Sequence, residues 1–417
     1  MPKIHRAWLV AAVTFVTLIA AAAFRSSMGV MLEPLESEFG WDRATTSSAA
    51  SLNLLVYGLV APFAAALMQR FRVRDVVSVA LMLVAVGSAA TYWMTASWHL
   101  LVLWGLFVGF GTGSIALVFG AIIANRWFVA RRGLVTGIFS AASATGQLIF
   151  LPTVANLAME YGWRTAAVTI GGLALLIVPA VRLVLADSPA EIGSKPYGAD
   201  DSYESPEIPR LSLGQVASST VATLRDSLTQ RPFIILAGTF FVCGWSTNGI
   251  IQTHFIAAAH DHGMPMNIAA GLLALIGVFD IIGTVMSGWL TDRFDSRYLL
   301  VAYYGLRGLS LLYVPYVLGP HVEPSMLFFI VFYGLDWVAT VPPTVALCRQ
   351  HFGLAKTGVV YGWVFASHMV GAGAGASFAG WIRSSNGDYA LAWLTAGLLC
   401  IAAAASFALM PKKTLVG

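Results

Sequence analysis

The chain has 417 residues, of which 58% are hydrophobic and only 11% are charged. This composition is too apolar for a soluble protein of this length and indicates a protein that resides in a lipid bilayer. The net charge of +4 reflects a bias of basic residues toward one side of the membrane and excludes a nucleic-acid partner as its explanation.

Long apolar runs follow one another along the chain. About 20 apolar residues are needed for a helix to cross the hydrocarbon core, and backbone amides find no water there, so the runs are predicted to be helices rather than barrel strands. The first run is too long for a cleaved signal peptide and is expected to remain as helix one. The twelve predicted helices span 8–32, 44–68, 76–95, 99–124, 134–158, 165–185, 232–257, 267–291, 298–318, 325–348, 358–382 and 390–410.

Two of the short links between these runs have related sequences. Gly288 to Arg297 follows the eighth run, and a similar segment, Ala65 to Arg74, follows the second run 223 residues earlier (293 − 70). A repeat of this length indicates two related halves of membrane helices. We predict an N-terminal six-helix bundle over 1–185, a linker over 186–231 and a C-terminal six-helix bundle over 232–417.

The basic residues predict the orientation of the chain. Of the 24, 19 lie in links or at helix ends on the side of the N-terminus, three lie in links on the other side and two lie well within helices. The positive-inside rule therefore predicts that both termini and the linker are cytoplasmic, in a bacterial-type inner (plasma) membrane. Helical spacing of apolar residues from Leu211 to Leu228 predicts a short helix at the membrane surface. The sequence leaves open whether the linker is a tether or has a regulatory role.

Four charged residues fall well inside predicted helices, away from their ends: Arg25, Asp280, Arg307 and Asp336. A charge near the bilayer centre costs about 2.5–3.5 kcal/mol, which makes each a candidate functional residue. Arg25 has no buried carboxylate in its own half and is predicted to meet a substrate anion. Arg307 either contributes to the substrate site or forms a fixed pair with Asp280 or Asp336.

His368, in the middle of the eleventh run, is the remaining titratable candidate because imidazole exchanges protons near physiological pH. A hydrogen bond to a neighbouring helix explains this residue equally well. The other polar and aromatic residues predicted to line the substrate site are Tyr57, Asn248, Gln252, Tyr333 and Tyr361. The cysteines, Cys243, Cys348 and Cys400, show no paired or metal-ligand spacing, so no cofactor or metal is predicted.

Gly288, Asp292, Arg293 and Arg297 together resemble the signature loop of the major facilitator superfamily, and the resemblance covers the whole chain. It implies an all-α membrane protein with twelve transmembrane helices in two pseudo-symmetric six-helix bundles. The segment from Trp127 to Gly137, which contains Arg131 and Arg132, resembles the signature of the monocarboxylate transporters and their bacterial relatives, which include the oxalate–formate exchangers.

The resemblance also bears on single residues. Arg25 falls where these transporters carry a basic residue that meets the substrate carboxylate, Asp280 falls at their helix-eight aspartate, and His368 falls near a lysine of the oxalate exchanger. The sequence departs from the family at Thr284, where an arginine is expected one turn after the aspartate. Of the motif that opens helix one in the animal members, only Trp8 remains.

We therefore predict a secondary-active transporter, not an enzyme, that carries a small organic anion, a monocarboxylate, together with a proton by alternating access. Its predicted partners are the anion, the proton and the lipid bilayer, and a monomer is expected. Asp280, alone or coupled to Arg307, is the predicted proton site, with His368 and Asp336 as alternatives. The predicted gating residues are Asp292, Arg293, Arg297, Arg131 and Arg132.

Two other functions remain open at this stage. An aromatic content of 12% also suits an exporter of amphipathic or drug-like molecules. A membrane sensor without transport is the third alternative.

Overall fold

The structure, a computed structural model, describes residues 5–203 and 212–411. Within helices, the side chains at 25–30, 32–33, 43–44, 143, 147, 151 and 213 lie outside the described set. In the described ranges the chain is helical and has no named strand; an isolated parallel bridge joins Phe128 and Tyr197.

The membrane helices are numbered α1 to α12 in chain order. The first six are α1 Arg6–Phe39, α2 Arg43–Arg70, α3 Val73–Ala90, α4 Ser97–Trp127, α5 Arg132–Tyr161 and α6 Trp163–Val184. The next three are α7 Arg231–Asp261, α8 Met266–Thr291 and α9 Ser296–Val317. The last three are α10, made of Pro324–Asp336 and residues 341–352, α11 over 354–386 and α12 Ala390–Ser406.

Gly353 separates α10 from α11. Helical hydrogen bonding runs through Val341–Asn386, but Gly353 has φ 75° and ψ 166°, a conformation that side-chain-bearing residues rarely adopt. Ten runs in the described ranges are long and apolar enough to cross a membrane. One of them, Pro324–Asn386, contains both α10 and α11, and α9 is not among the ten. The twelve predicted helices are therefore all present in the described residues.

Two compact units make up the chain. The first contains residues 1–132 and 142–222, and the second contains residues 133–141 and 223–417, so the first turns of α5 group with the second unit. In the first unit α3 packs along α6 and α2 packs along α4. In the second unit α7 packs along α11, α9 along α12 and α8 along α10.

The beginning of the linker packs against the first unit. The Tyr197 amide donates to the Trp127 carbonyl (2.8 Å), and the Tyr197 carbonyl accepts from the amides of Val129 and Ala130 (2.9 and 3.1 Å). Asp187 Oδ1 accepts from the Val73 amide at 2.6 Å, which caps the start of α3. Burial raises the pKa of the Asp187 carboxyl, although this hydrogen bond opposes the shift.

The end of the linker is helical over Leu213–Ser227, where the apolar spacing predicts a short helix.

Candidate functional site

Four residues, 337–340, interrupt α10 within the second unit. The cause lies in the sequence, because Pro342 and Pro343 have no amide hydrogen to donate to the Val338 and Ala339 carbonyls one turn earlier. The Val341 amide donates to the Val338 carbonyl, three residues earlier, at 3.0 Å. This bond closes a turn of the 3₁₀ type, which is tighter than an α-helical turn. The interruption therefore leaves peptide groups inside the bundle that need partners from other helices.

Arg307 of α9 supplies several of these partners. Its side chain is completely buried, and its Nε donates to Asp336 Oδ2 at 2.6 Å. Nη2 donates to the main-chain carbonyls of Asp336 (2.6 Å) and Trp337 (2.9 Å). Nη1 contacts Cys243 Sγ of α7 at 3.1 Å. The guanidinium thus pairs with the Asp336 carboxylate and also donates to two main-chain carbonyls, one directly before the interruption and one inside it.

Two side chains of α8 reach the same interruption. Asp280 Oδ1 accepts from the Val338 amide at 2.9 Å and from the Thr284 hydroxyl at 2.7 Å. Two turns further along α8, the Ser287 hydroxyl donates to the Ala339 carbonyl at 2.5 Å. Asp280 is 2% exposed, so its carboxyl is removed from solvent and held by two uncharged donors.

His368 of α11 completes the group of polar side chains. Its imidazole lies beside the Cys243 thiol, and its ring centroid is 5.0 Å from that of Phe240. Cys243 Sγ is also 3.4 Å from Thr340 Oγ1 at the end of the interruption. Among the described residues, His368 Nδ1 and Asp336 Oδ1 are buried atoms with no hydrogen-bond partner.

The other residues predicted for the substrate site belong to several helices. The Tyr333 hydroxyl donates to the Ser246 carbonyl at 3.2 Å, and Tyr361 is fully buried. Asn248 belongs to a π-helical turn of α7, Trp245–Ile251, and Gln252 directly after it is exposed. Tyr57 is buried in the first unit. The side chain of Arg25 lies outside the described residues.

A second polar site lies at the end of α8, in the predicted signature loop. Asp292 Oδ1 and Oδ2 accept from the amides of Gly133 (2.6 Å) and Leu134 (2.9 Å), the first turn of α5. A carboxylate in this position compensates the positive end of the helix dipole. The helices come close because Gly288 faces Gly133 and Gly137, and a Cβ at Gly137 would lie 2.6 Å from the Thr284 carbonyl.

Three of the four arginines predicted to act with Asp292 contact other groups. The Arg293 guanidinium lies 3.8 Å from the Trp289 ring centroid, and Arg297 forms an ion pair with Asp295 at 2.5 Å. Arg132 Nε donates to the Phe128 carbonyl at 2.6 Å. Arg131 precedes α5 in a left-handed conformation, with φ 60°.

Sequence reasoning missed three groups around the interruption of α10: the Cys243 thiol, the Ser287 hydroxyl and the Val338 amide. Small polar residues are common in membrane helices, so neither Cys243 nor Ser287 stands out. The signal that was available is the Pro342–Pro343 pair inside a predicted helix, which indicates an interruption and hence unpaired peptide groups.

Within the described residues, no group of three or more His, Cys, Asp or Glu side chains could hold a metal ion.

Comparison with known proteins identifies relatives along nearly the whole chain. The sequence profile of the Major Facilitator Superfamily matches residues 13–376. The uncharacterized MFS-type transporter YcxA of Bacillus subtilis (strain 168) is 26% identical over 382 residues, covering 89% of this chain and 87% of that protein. Human monocarboxylate transporter 11 is 27% identical over 415 residues, covering 97% and 83%.

Solved structures share the fold. The human organic anion transporter MFSD10 matches with a TM-score of 0.75 at 15% identity, covering 98% of this chain and 100% of that one. The E. coli fucose:proton symporter FucP matches with a TM-score of 0.67 at 17% identity, covering 97% and 100%.

Proposed function

Because the chain belongs to the major facilitator superfamily, and is therefore a multi-pass membrane transporter of small molecules, we propose that it carries a small monocarboxylate together with a proton. Relatives named as monocarboxylate transporters, of human and zebrafish, are 26–27% identical over most of their length. The proposal includes a monomer in the inner membrane with both termini in the cytoplasm.

The observation that carries the proposal is the environment of Asp280. A buried carboxyl that accepts hydrogen bonds from a hydroxyl and an amide can hold them in both its charged and its neutral form. Asp336, in contrast, forms an ion pair with Arg307 at 2.6 Å, which favours its charged form. Asp280 is therefore our first choice for the proton site, and His368 is the second.

Arg25 is assigned to the substrate carboxylate on its sequence position and on the resemblance. An uncompensated cation inside the membrane is costly and favours a hydrated, open cavity. Binding of an anion, with a proton on Asp280, would leave the site neutral, and a neutral site can close and allow one bundle to rock over the other. Asp292 would take part by stabilising the start of α5 when the cytoplasmic side is closed.

Uptake by purified protein in proteoliposomes tests the proposal. A panel of radiolabelled monocarboxylates, dicarboxylates and neutral sugars would be offered with and without an inward acid gradient. We expect accumulation of at least one monocarboxylate that the gradient stimulates and that a protonophore abolishes. Accumulation of neutral sugars alone, or of amphipathic cations driven outward, would refute the proposal and favour a different substrate class.

A further inference from the structure

We infer that Arg307, Asp280 and Ser287 are positioning residues for α10: together they hold the interrupted backbone at 337–340, and Arg307 acts through that backbone rather than by meeting the substrate. This inference goes beyond the proposed function and does not depend on which molecule is transported.

The peptide groups of the interruption show the need for these side chains. The Trp337 carbonyl has lost its α-helical donor, since the Val341 amide bonds to Val338, and it accepts from Arg307. The Ala339 carbonyl faces Pro343, which has no amide hydrogen, and accepts from Ser287. The Val338 amide points away from its own helix and donates to Asp280. Each group is thus completed by a side chain of α8 or α9.

The contacts of Arg307 separate a positioning role from a substrate-binding role. Its three nitrogens already reach four acceptors, a carboxylate oxygen, two carbonyls and a thiol, and the side chain is 0% exposed. A substrate carboxylate could bind only by displacing one of these four acceptors. A fork of this shape is specific to arginine, because a lysine ammonium cannot bond to carboxylate and both carbonyls in the same plane.

The first half of the duplication has a corresponding interruption without charges. Residues 115 and 116 interrupt α4 between Gly109–Ser114 and Leu117–Trp127. The positions 223 residues before Asp280, Ser287 and Arg307 are Tyr57, Ala64 and Val84. There, glycines bring the helices together: a Cβ at Gly111 would lie 2.6 Å from both the Ala80 carbonyl and Val84 Cγ2. The charged arrangement is therefore particular to α10, and the α4 interruption is an internal control.

Hydrogen–deuterium exchange of the purified full-length protein, read by mass spectrometry, tests the inference. The informative peptides cover 337–340 and, as reference, 115–116. We expect Arg307→Lys to speed exchange at 337–340 by about tenfold or more, as for local loss of a buried charge-assisted hydrogen bond. The 115–116 peptides should not change. Arg383→Met is the matched control, because it removes an exposed ion pair with Asp261 and should alter neither region.

A double variant separates the inference from simple charge balance. Arg307→Met with Asp336→Leu removes both charges and also removes the side-chain donor of the Trp337 carbonyl, while the carbonyl of residue 336 keeps only the Ala339 amide at 3.2 Å. If the pair only balanced charge, exchange in the double variant would return to the wild-type rate, and the inference would be overturned. Exchange that stays fast at 337–340 supports it.

Global destabilisation is recognised by faster exchange at both interruptions. In that case Ser287→Ala, which removes one hydroxyl, decides: faster exchange confined to 337–340 supports the inference, and an unchanged rate overturns it. Transport provides a separate readout. A positioning role predicts that Arg307→Lys lowers the maximal uptake rate with KM changed by less than about twofold, whereas a substrate contact predicts a rise in KM of about tenfold or more. Absence of monocarboxylate uptake would count against the proposed function only and would leave the exchange test intact.

Discussion

Asp280 and Arg307 carry opposite charges within one unit, yet they bond to different partners. Arg307 pairs with Asp336 and the α10 carbonyls, and Asp280 bonds to the Thr284 hydroxyl and the Val338 amide. The three charged side chains buried in the helices of the second half, Asp280, Arg307 and Asp336, are therefore not equivalent. Asp280 is the group whose hydrogen bonds tolerate a change of charge, and this difference leads to predictions for each side chain.

The first prediction concerns Arg25. If its charge meets the substrate carboxylate, Arg25→Ala should abolish uptake in proteoliposomes while the unfolding midpoint of the purified protein stays near that of wild type. Arg25→Lys should keep partial activity, because the point charge remains although the planar fork is lost. Normal uptake by Arg25→Ala would show that the anion is bound elsewhere.

The second prediction concerns coupling through Asp280. We expect Asp280→Asn to remove the stimulation of net uptake by an inward acid gradient, while exchange of internal for external substrate continues. The amide keeps an oxygen that accepts from Thr284 and Val338 but cannot gain or release a proton. Gradient-driven accumulation that survives in Asp280→Asn would transfer the proton role to His368 or Asp336.

At this scale the sequence predicts which charges are buried but not how they pair. Arg307 was compatible with a fixed pair to Asp280 or to Asp336, since both carboxylates lie in neighbouring helices. The choice depends on how α10 is rotated around its interruption, and that rotation is a property of the packed bundle. For Asp292 the sequence leaves two kinds of partner open, the start of a neighbouring helix or the nearby arginines, and the bonds to the first turn of α5 show the helix start.

At the scale of the helices, hydropathy predicts that each helix exists but not where it ends or is interrupted. Apolar length predicts all twelve helices, but α1 continues beyond the predicted end at 32 to Phe39 and stops at Gly40, whose φ is 66°. Hydropathy also cannot detect that α10 is interrupted, because Pro342 and Pro343 lie in an apolar stretch. Both differences arise from backbone hydrogen bonding, which a sum over side-chain hydrophobicity does not include.

The third prediction concerns the cap of α5. Asp292 accepts two amide hydrogens of that helix, whereas the residue at the corresponding position of the first half, Gln69, is uncharged. We expect Asp292→Asn to slow turnover and to shift the resting population toward an inward-open state, because the neutral side chain interacts less with the helix dipole. Gln69→Ala should have little effect.

Labelling of cysteines introduced along the predicted cytoplasmic cavity measures this shift. Greater labelling in Asp292→Asn than in wild type is the expected result. If Gln69→Ala increases labelling and Asp292→Asn does not, the second-half loop is not the gate.

For the whole molecule, the linker belongs structurally to the first unit up to at least Tyr197. Its backbone bonds to residues 127–130, and its Tyr197 ring lies 5.5 Å from the Trp8 ring and 5.9 Å from the Phe128 ring. Composition alone predicts only a polar stretch here. The attachment is a single bridge between Phe128 and Tyr197, and a single bridge leaves no periodic pattern in the sequence. The length of chain that spans the two units is therefore shorter than the predicted linker.

The fourth prediction follows from this attachment and uses a chain expressed as two polypeptides. A cut between 203 and 204 keeps residues 186–203 on the first fragment, and a cut between 185 and 186 transfers them to the second. We expect the fragments cut between 203 and 204 to co-purify and to transport. The fragments cut between 185 and 186 should co-purify with a yield lower by several-fold. In that pair the hydrogen bond by which Asp187 caps α3 must form between two chains, and such a cap is worth about 0.5–2 kcal/mol. Equal yields from both cuts would contradict a structural role for residues 186–203.

The interruption of α10 also has an evolutionary consequence. Pro342 and Pro343 without Arg307 and Ser287 leave carbonyls unpaired inside the bundle, and Arg307 without the interruption is a buried cation with fewer acceptors. These residues are therefore epistatic: whether a substitution of one of them stabilises or destabilises the protein depends on which of the others are present. We therefore expect the second half of the chain to tolerate replacement of these residues together better than replacement of any one of them.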